Sequence, residues 1–444
     1  MNQLCKKAFL PLLVFLTSVT AANAQDAAPA FDSGDTAWML VSALLVLMMT
    51  VPGLALFYGG LVKKDNVLAT LMQSVAVAAI VSVIWPIIGY SIAFTENNMF
   101  FGGLDQFMLK NLTPDSASGT IPETVFIVFQ MTFAIITVAL LVGAVADRIK
   151  FTTLLVFTPL WIILVYAPVT HWVWGEGGFI GGIGLEGYEG VLGMGEALDF
   201  AGGTVVHINS GVAGLVAALI MGRSLNPSEG PSDSSNLVMS VIGAGLLWVG
   251  WFGFNAGSAL SAGGGAGYAM LVTNTAAGIA AVTWIIVEML HKGGKASVHG
   301  AVSGVVAGLV AITPAAGFVD FTGALIIGLA SGAICYFAVA YIKALFKYDD
   351  ALDVFGLHGI GGIVGAVLTG VFANPDIGGA AGTLYGSSTQ LWAQIISIIV
   401  VAGYSAIVTG ILLVILRYTM GLRVQPRHEY EGLDMALHGQ KLEK

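Results

Sequence analysis

Long apolar runs separated by short polar loops occupy most of the chain from about residue 36 to residue 419. The hydrocarbon core of a bilayer is about 30 Å thick, so a helix of about 20 apolar residues is long enough to cross it. Eleven runs reach that length, and they predict an all-α polytopic membrane protein with eleven transmembrane helices. Their approximate bounds are 36–62, 67–94, 121–146, 152–172, 197–222, 236–256, 265–290, 297–316, 318–346, 353–372 and 387–419.

The composition agrees with this prediction. Hydrophobic residues make up 57% of the chain and charged residues 10%, whereas a soluble domain carries about 25% charged residues. Glycine occurs 59 times, which suits close helix packing in lipid because small residues let backbones approach. The net charge of −9 reflects acidic outer loops and gives no reason to expect a nucleic-acid partner. The lipid bilayer is the expected environment.

The first segment, 1–24, is predicted to be a cleaved signal peptide. It combines two early lysines, a short apolar run and an A-x-A cleavage site that ends at Ala24. The alternative is a short first helix that is retained. Cleavage places the mature N-terminus outside a bacterial inner membrane. It also removes Cys5 and leaves Cys335 as the only cysteine, so the cysteines indicate neither a disulfide nor a metal site.

Basic residues predict the orientation of the spans. They gather in the odd-numbered loops and beyond the last span, whereas the even-numbered loops hold only Lys110. By the positive-inside rule, the odd loops and the C-terminus are cytoplasmic and the N-terminus is outside. We therefore expect a multi-pass membrane domain over 25–419 and a cytoplasmic tail over 420–444.

Two histidines lie inside predicted spans, His207 in LDFAGGTVVHIN and His358 in DVFGLHG. Each follows a carboxylate by eight residues, Asp199 and Asp350 respectively. This repeated spacing indicates one element used twice, so spans 1–5 and 6–10 form two halves with span 11 as an extra helix. Because five is odd, the second half enters the membrane in the opposite sense. We therefore predict an inverted repeat with a binding site between its halves.

A titratable ring inside a bilayer is costly and usually marks a pathway for ions or protons. If His207 and His358 meet between the halves, their neutral imidazoles can share a hydrogen bond, carry a small neutral molecule or relay a proton. The alternative is a pair of histidines satisfied by helix–helix hydrogen bonds. Helix capping is the corresponding alternative for Asp199 and Asp350. Two histidines are too few ligands for a zinc site.

Aromatic residues near the outer span ends raise a second possibility. Phe133, Trp174 and Ser258 would suit a small cation, because ring faces attract cations and a hydroxyl accepts a hydrogen bond. The alternative is that they are interface-belt and packing residues, since spacing alone does not establish that they converge. We expect no enzyme activity and no cofactor, because neither a nucleophile-and-base set nor a cofactor motif is present.

At these residues the sequence resembles the ammonium transporter family (the Amt/Mep/Rh superfamily), in particular its bacterial Amt members. The resemblance runs from Pro52 to the tail and implies a homotrimer of eleven-helix protomers that take up nitrogen through one pore each. The matching stretches are PGLALFYGGLVKKDN, FQMTFAIIT, GAVADRIKF, WVWGEGG, LDFAGGTVVHINSG, WVGWFGFNAGSAL, ITPAAG, DVFGLHGIGGIVG and EGLDMALHG.

The resemblance implies a role for each candidate residue by its position. The outer ammonium-recruitment site would consist of Trp174, Phe133 and Ser258, flanked by Thr313. Phe133 and Phe254 would form the phenyl gate of the pore, above the twin histidines His207 and His358. Asp199 would be the acid needed for conduction, in an electrostatic or structural role. Supporting positions would be Asp350 near the inner mouth and Trp251 in the pore wall.

The mechanism follows from desolvation. A bare ammonium ion in a dry, phenyl-lined lumen faces a large Born cost, whereas ammonia does not. We expect ammonium to bind outside, lose its proton and cross as ammonia, electrogenically and with a separate proton path. A passive ammonia channel stays open as an alternative. Potassium should be excluded, since it has no proton to give up.

The tail, GLRVQPRHEYEGLDMALHGQ, resembles the regulatory end of bacterial Amt proteins that docks a PII-type signalling protein. Two other functions stay open. One is an ammonium sensor that signals through its tail, although no output domain follows Thr419. The other is a gas channel of the Rh kind for ammonia or carbon dioxide, against which Trp174 and Ser258 favour recruitment of a cation. The glycine-rich loop between spans 4 and 5 leaves the outer mouth undefined.

Overall fold

The computed structural model describes residues 31–182, 190, 193–226 and 234–442. The predicted signal peptide lies outside the described residues, as does much of the glycine-rich loop between spans 4 and 5. The described chain is mostly helical, and ten of its helices are long and apolar enough to cross a membrane. They are α1 (Ser33–Leu61), α2 (Lys64–Phe94), α3 (Glu123–Val145), α4 (Phe151–Trp174), α5 (Gly203–Met221), α6 (Leu237–Ala256), α7 (Gly264–His291), α9 (Phe321–Phe346), α10 (Phe355–Phe372) and α11 (Gln390–Thr419).

The predicted class, a helical multi-pass membrane protein, is confirmed. Each predicted span has a helix at its place, but the eighth is a shorter apolar helix, α8 (Val298–Ile312). The count of eleven spans, the orientation and the inverted repeat therefore stay predictions.

Smaller elements lie outside the spans. β1 (Ala117–Ser118) pairs antiparallel with β2 (Ile121–Pro122) just before α3, with Ser118 opposite Ile121. Two short helices follow α11, namely α12 (Pro426–Glu431) and α13 (Leu433–His438).

Polar side chains begin several of the helices. Asp32 accepts a hydrogen bond from the backbone N–H of Asp35 at the start of α1. The side chains that accept a backbone N–H in the first turn of α6, α8 and α9 are Asn236, Ser297 and Asp320 respectively. The first N–H groups of a helix have no partner within it, so such caps offset the cost of leaving them unpaired in an apolar environment.

The helices pack in two groups around a central contact. In the first group α3 is the most deeply buried helix and packs on α1, α2 and α5. In the second, α7, α8 and α9 pack on one another. α5 and α10 meet between the groups, and α11 lies against both of them and against α4.

Glycine permits the close crossing of α5 and α10. A Cβ atom at Gly211 would collide with the backbone of Gly359, and one at Gly362 would lie 2.9 Å from the carbonyl oxygen of Gly203. The two backbones are thus in direct contact, which small residues make possible.

The tail packs on the helical body. Asp434 accepts a hydrogen bond from Ala69 N–H at 2.8 Å, in the first turns of α2, and Asn66 accepts one from Leu433 N–H at 2.8 Å. Arg423 pairs with Glu429 at 2.5 Å, and Glu429 also accepts a hydrogen bond from Leu225 N–H at 3.0 Å. A charged segment of this length would by itself be expected to be disordered, so these contacts are what order it.

Candidate functional site

His207 and His358 occupy equivalent places in their helices. α5 begins with a π-helical turn, Gly203–Ile208, and α10 begins with another, Phe355–Gly359. Each histidine is the last but one residue of its turn. π-helical turns are uncommon and often occur at functional sites, because the wider turn re-aims the side chains it carries.

The two histidines meet where α5 and α10 cross. Their ring centroids lie 5.3 Å apart with an interplanar angle of 22°, and Nδ1 of one is 3.3 Å from Nδ1 of the other. Both side chains are buried. One Nδ1 must donate and the other accept, so one ring keeps a free Nε2 lone pair and the other keeps an Nε2–H. His207 Nε2 has no hydrogen-bond partner among the described residues. The pair can therefore offer both a donor and an acceptor to a third molecule.

A column of aromatic rings continues from His207. Its ring lies 6.0 Å from Phe254, which stacks on Phe133 at 4.0 Å and 17°. Phe133 in turn meets Trp174 edge to face at 6.0 Å and 80°. Phe133 comes from α3, Trp174 from the end of α4 and Phe254 from a π-helical turn that ends α6. Residues that are distant in sequence thus form one column that ends at the histidine pair.

Ser258 follows Phe254 by one turn and donates a hydrogen bond to its carbonyl oxygen at 2.8 Å. A hydroxyl that donates in this way keeps its lone pairs available as acceptors.

The structure places Thr313 against Trp251. The Thr313 hydroxyl accepts a hydrogen bond from the Trp251 indole N–H at 2.9 Å and donates one to Leu309 O at 2.8 Å. Trp251 then stacks on His207 with centroids 5.5 Å apart and an angle of 20°. Thr313 therefore orients Trp251, and its hydroxyl already acts both as an acceptor and as a donor. This pairing was not predicted from the sequence, which offers no signal for it.

Asp199 caps the start of α5. Its carboxylate accepts hydrogen bonds from Gly202 N–H at 2.9 Å, Gly203 N–H at 2.5 Å, Thr204 N–H at 2.8 Å and Val205 N–H at 3.1 Å, and also from the Thr204 hydroxyl. Burial raises the pKa of Asp199, although the hydrogen bonds from Thr204, Val205 and Gly203 act in the opposite direction. Every one of these groups is a donor, so the carboxylate form fits this site.

The backbone of Asp199 has a second connection. Its carbonyl oxygen accepts a hydrogen bond from the Trp174 indole N–H at 2.7 Å. Asp199 therefore has the capping role that was given as its alternative, and it also orients Trp174, the ring at the end of the column away from the histidines.

Asp350 precedes α10 and accepts a hydrogen bond from Phe355 N–H at 2.7 Å, so it caps that helix. Its other carboxylate oxygen is buried and has no partner among the described residues. Burial raises the pKa of Asp350 to about 6, with the charge of Lys343 acting in the opposite direction.

A cavity of about 910 Å³ opens at the end of the helix bundle that carries the odd-numbered loops, and its lining includes Asp349 and Ala351, the residues on either side of Asp350. Among its lining side chains are Glu288 and Asp353, which are paired with Lys292 and Lys343 at 2.8 Å each. Within the described ranges, no group of three or more His, Cys, Asp or Glu side chains is placed to hold a metal ion.

Residues 37–442 match the model of the Ammonium Transporter Family. This chain belongs to the ammonium transporter family. It is 48% identical over 434 residues to the ammonium transporter of Aquifex aeolicus (strain VF5), covering 97% of this chain and 98% of that protein. It is also 48% identical over 413 residues to the ammonium transporter of Bacillus subtilis (strain 168), covering 92% and 98% of the two chains.

Solved structures agree with the sequence relatives. The crystal structure of Saccharomyces cerevisiae Mep2 superposes with a TM-score of 0.81 at 34% identity, covering 89% of this chain and 88% of that one. A structure described as a sensor Amt protein superposes with a TM-score of 0.82 at 26% identity, covering 91% and 98%. The resemblance stated from the motifs is thereby confirmed, and the family is one of transporters and not of enzymes.

Proposed function

We propose that this member of the family recruits ammonium at an outer site, removes its proton and conducts ammonia past the phenyl gate and the histidine pair. The observation that carries the proposal is the continuous column from Trp174 through Phe133 and Phe254 to His207. Each ring touches the next, and the column ends at a pair of imidazoles that keeps one donor and one acceptor free.

Recruitment is assigned to Trp174, Phe133 and Ser258, flanked by Thr313. The indole and phenyl faces attract a cation, and the Ser258 lone pairs accept hydrogen bonds from its N–H groups. Asp199 contributes through position: its carbonyl oxygen orients Trp174, and its negative charge favours a cation nearby. Thr313 acts one step away, through Trp251.

The phenyl pair decides what passes. A stacking distance of 4.0 Å leaves no space between Phe133 and Phe254, so a rotation of the rings is needed for each passage. An ammonium ion would lose its hydration there with no replacement, which costs several kcal/mol even after relaxation. Ammonia loses far less. Deprotonation at or before this gate is therefore the cheaper route.

His207 and His358 then receive ammonia. An ammonia molecule can accept from the free Nε2–H of one ring and donate to the free Nε2 lone pair of the other. The proton crosses by a separate path, apart from the ammonia molecule, with the histidine pair as its relay, and its net movement makes transport electrogenic. Trp251 stacks on His207 and fixes its ring plane. Ammonia then leaves through the cavity at the cytoplasmic end of the bundle, which Asp349 and Ala351 line on either side of Asp350.

The experiment measures the transient current of the purified protein in liposomes after an ammonium jump, with wild type beside His207→Ala/His358→Ala. A wild-type current that the double variant loses supports the electrogenic carrier. A potassium leak in the double variant would add that the histidines set selectivity. A rise of internal pH without any current would instead establish a passive ammonia channel and contradict the carrier.

Several further properties belong to the same proposal. We propose that the signal peptide 1–24 is removed, that the membrane domain over 25–419 assembles as a homotrimer in a bacterial inner membrane, and that the cytoplasmic regulatory tail, 420–444, docks a PII-type signalling protein. In this proposal the partner meets the tail on the helical body, where Asp434 and Leu433 hydrogen-bond to Ala69 and Asn66. Crosslinking in membranes tests the trimer, and pull-down with a PII protein tests the tail.

A sensing function is the second candidate, and the likeness to the sensor Amt protein is the observation that favours it. The two are separated by growth on limiting ammonium in a strain without its own transporters. Rescue of growth means transport, whereas a sensor need not move the substrate.

A further inference from the structure

One buried glutamine lies where α11 passes the outer end of α5. Gln394 sits in the apolar run QLWAQIISIIVV, and its side chain is completely buried. Its Oε1 accepts a hydrogen bond from Leu198 N–H at 2.6 Å, and its Nε2 donates to Leu198 O at 2.8 Å. The side-chain amide therefore pairs with both backbone groups of one residue.

The remaining capacity of the Gln394 amide is also used. Nε2 donates a second hydrogen bond to Ala366 O in α10 at 3.2 Å, and Oε1 accepts a second, longer one from Gln390 at 3.4 Å. A primary amide has two donors and two lone pairs, so all four are occupied. Because the two groups of Leu198 are a donor and an acceptor, the orientation of the amide is settled by its partners.

Leu198 belongs to a stretch without regular secondary structure that leads into α5. A two-point pairing with Gln394 holds its peptide groups in position and in rotation, as a neighbouring strand would. Two backbone bonds also hold the stretch, from Ala197 N–H to Ile180 O at 3.0 Å and from Phe200 N–H to Pro314 O at 3.1 Å. Gln390, one turn before Gln394 in α11, donates to Glu196 O at 2.9 Å. Of these contacts, the pairing with Gln394 is the one that holds both backbone groups of Leu198, the residue next to Asp199.

The residue after Leu198 is Asp199, which makes the two connections described above. Its carboxylate caps α5, and its carbonyl oxygen accepts the Trp174 indole N–H at 2.7 Å. A shift of the Leu198 peptide must move the Asp199 carbonyl, since the two are covalently joined. Trp174 would then lose the partner that sets its ring plane against Phe133.

We propose that Gln394 is a positioning residue for ammonium recruitment: by holding Leu198, it sets the Asp199 carbonyl and, through it, the Trp174 indole. It touches neither substrate nor gate. The inference rests on the proposed recruitment role of Trp174. It connects α11, the helix outside the two predicted halves, to the substrate site through Leu198 and Asp199.

The test compares Gln394→Met, which removes all four hydrogen bonds at similar size, with Thr409→Val in the same helix. Thr409 is also buried and accepts the Trp161 indole N–H at 2.9 Å. Thr409→Val therefore loosens the contact of α11 with α4 away from the outer mouth. Initial rates of ammonium uptake into liposomes containing the full chain are measured against ammonium concentration.

Gln394→Met should raise the half-saturating ammonium concentration by roughly tenfold, because ammonium binds less tightly to a displaced Trp174 ring. Thr409→Val should keep the wild-type value, even where its maximal rate or yield falls. Hydrogen exchange at the Leu198 amide should accelerate in Gln394→Met only. A half-saturating concentration that is unchanged in Gln394→Met, or raised equally in Thr409→Val, overturns the proposal.

Gln394→Glu supplies a rescue that a merely structural role would not produce. A protonated carboxyl can still accept from Leu198 N–H and donate to Leu198 O, whereas the ionised form can only accept. At pH 5.5 the variant should bind ammonium better than Gln394→Met, and its disadvantage against wild type should grow toward pH 8. If it is no better than Gln394→Met at pH 5.5, the Leu198 pairing does not control recruitment. This variant at pH 8 also serves if Gln394→Met does not fold.

The two proposals fail differently. Wild-type protein without saturable ammonium uptake contradicts the proposed function itself. Wild-type uptake that saturates, with Gln394 variants indistinguishable from it, contradicts only the positioning role.

Discussion

Nδ1 of His207 lies 3.3 Å from Nδ1 of His358, although the two residues are 151 positions apart in the chain. Each ring determines which nitrogen of the other carries the proton, because one Nδ1 must donate and the other accept. The two histidines are thus one hydrogen-bonded unit, and the removal of either changes both.

This relationship predicts strong non-additivity. His207→Ala and His358→Ala should each lower the ammonium-dependent current by roughly a hundredfold or more, and the double variant should be hardly worse than either single one, as expected for residues that act together. Initial currents in liposomes at matched protein density check this. Single effects that multiply in the double variant would show that the histidines act independently.

The stacked phenyl pair predicts a selectivity phenotype. Phe254→Ala removes one of two rings that lie 4.0 Å apart, so water can enter the constriction and the desolvation barrier for ions falls. We expect a potassium leak at least tenfold above wild type, measured as potassium flux into liposomes. Phe157→Ala is the control, since Phe157 is equally buried in α4 but is not part of the ring column. A leak of the same size in that variant would point to general damage.

Asp350 predicts a dependence of stability on pH. Burial raises its pKa to about 6, above the usual 3.9 of an unfolded carboxyl. A raised carboxyl pKa means that ionisation is disfavoured in the folded state. The folded state therefore binds the proton more tightly than the unfolded state does. The free energy of unfolding is highest below about pH 4, falls as the pH rises to about 6, and does not change further above that pH.

Asp350→Asn removes this ionisation and keeps an oxygen that can accept from Phe355 N–H. Its thermal stability relative to wild type should therefore increase between pH 4.5 and 6.5, by up to about 3 kcal/mol, and stay constant from pH 7 to 8. Melting temperatures in detergent at each pH check this. Asp350→Ala, which loses the cap as well, should be less stable than Asp350→Asn at every pH by about 1 kcal/mol. A constant difference between Asp350→Asn and wild type would contradict the raised pKa.

The docked tail predicts a local effect on order. Asp434→Ala removes the acceptor for Ala69 N–H. The packing of α13 on α2 should therefore become less stable by about 1 kcal/mol, and α13 should open more often. Hydrogen exchange should accelerate over 433–438 and at the start of α2, while α5 and α10 keep their protection. Glu431→Gln, at an exposed position of the same tail, is the control. Unchanged exchange in Asp434→Ala would mean that other contacts hold the tail.

The sequence alone determined the membrane class, the location of the helices and the family. These depend on local quantities: the length of each apolar run, the charge of each loop, and short motifs such as LDFAGGTVVHIN and DVFGLHG. The equal spacing of Asp199–His207 and Asp350–His358 also indicated that the two elements correspond, and both carboxylates cap the helices that they precede.

Only the tertiary structure decided which side chains meet. Phe133, Trp174 and Phe254 lie on three different helices, and no periodicity within one helix reports how another crosses it. The Thr313–Trp251 pair, the Gln394–Leu198 pairing and the docking of the tail are likewise contacts between distant segments. A single glutamine in an apolar span marks a polar contact, because lipid offers it no partner, but its partner is set by helix packing. The hydropathy of a segment is a sum over its own residues. These contacts depend instead on the angle and distance at which two helices cross, which close glycine contacts such as Gly211–Gly359 help to set.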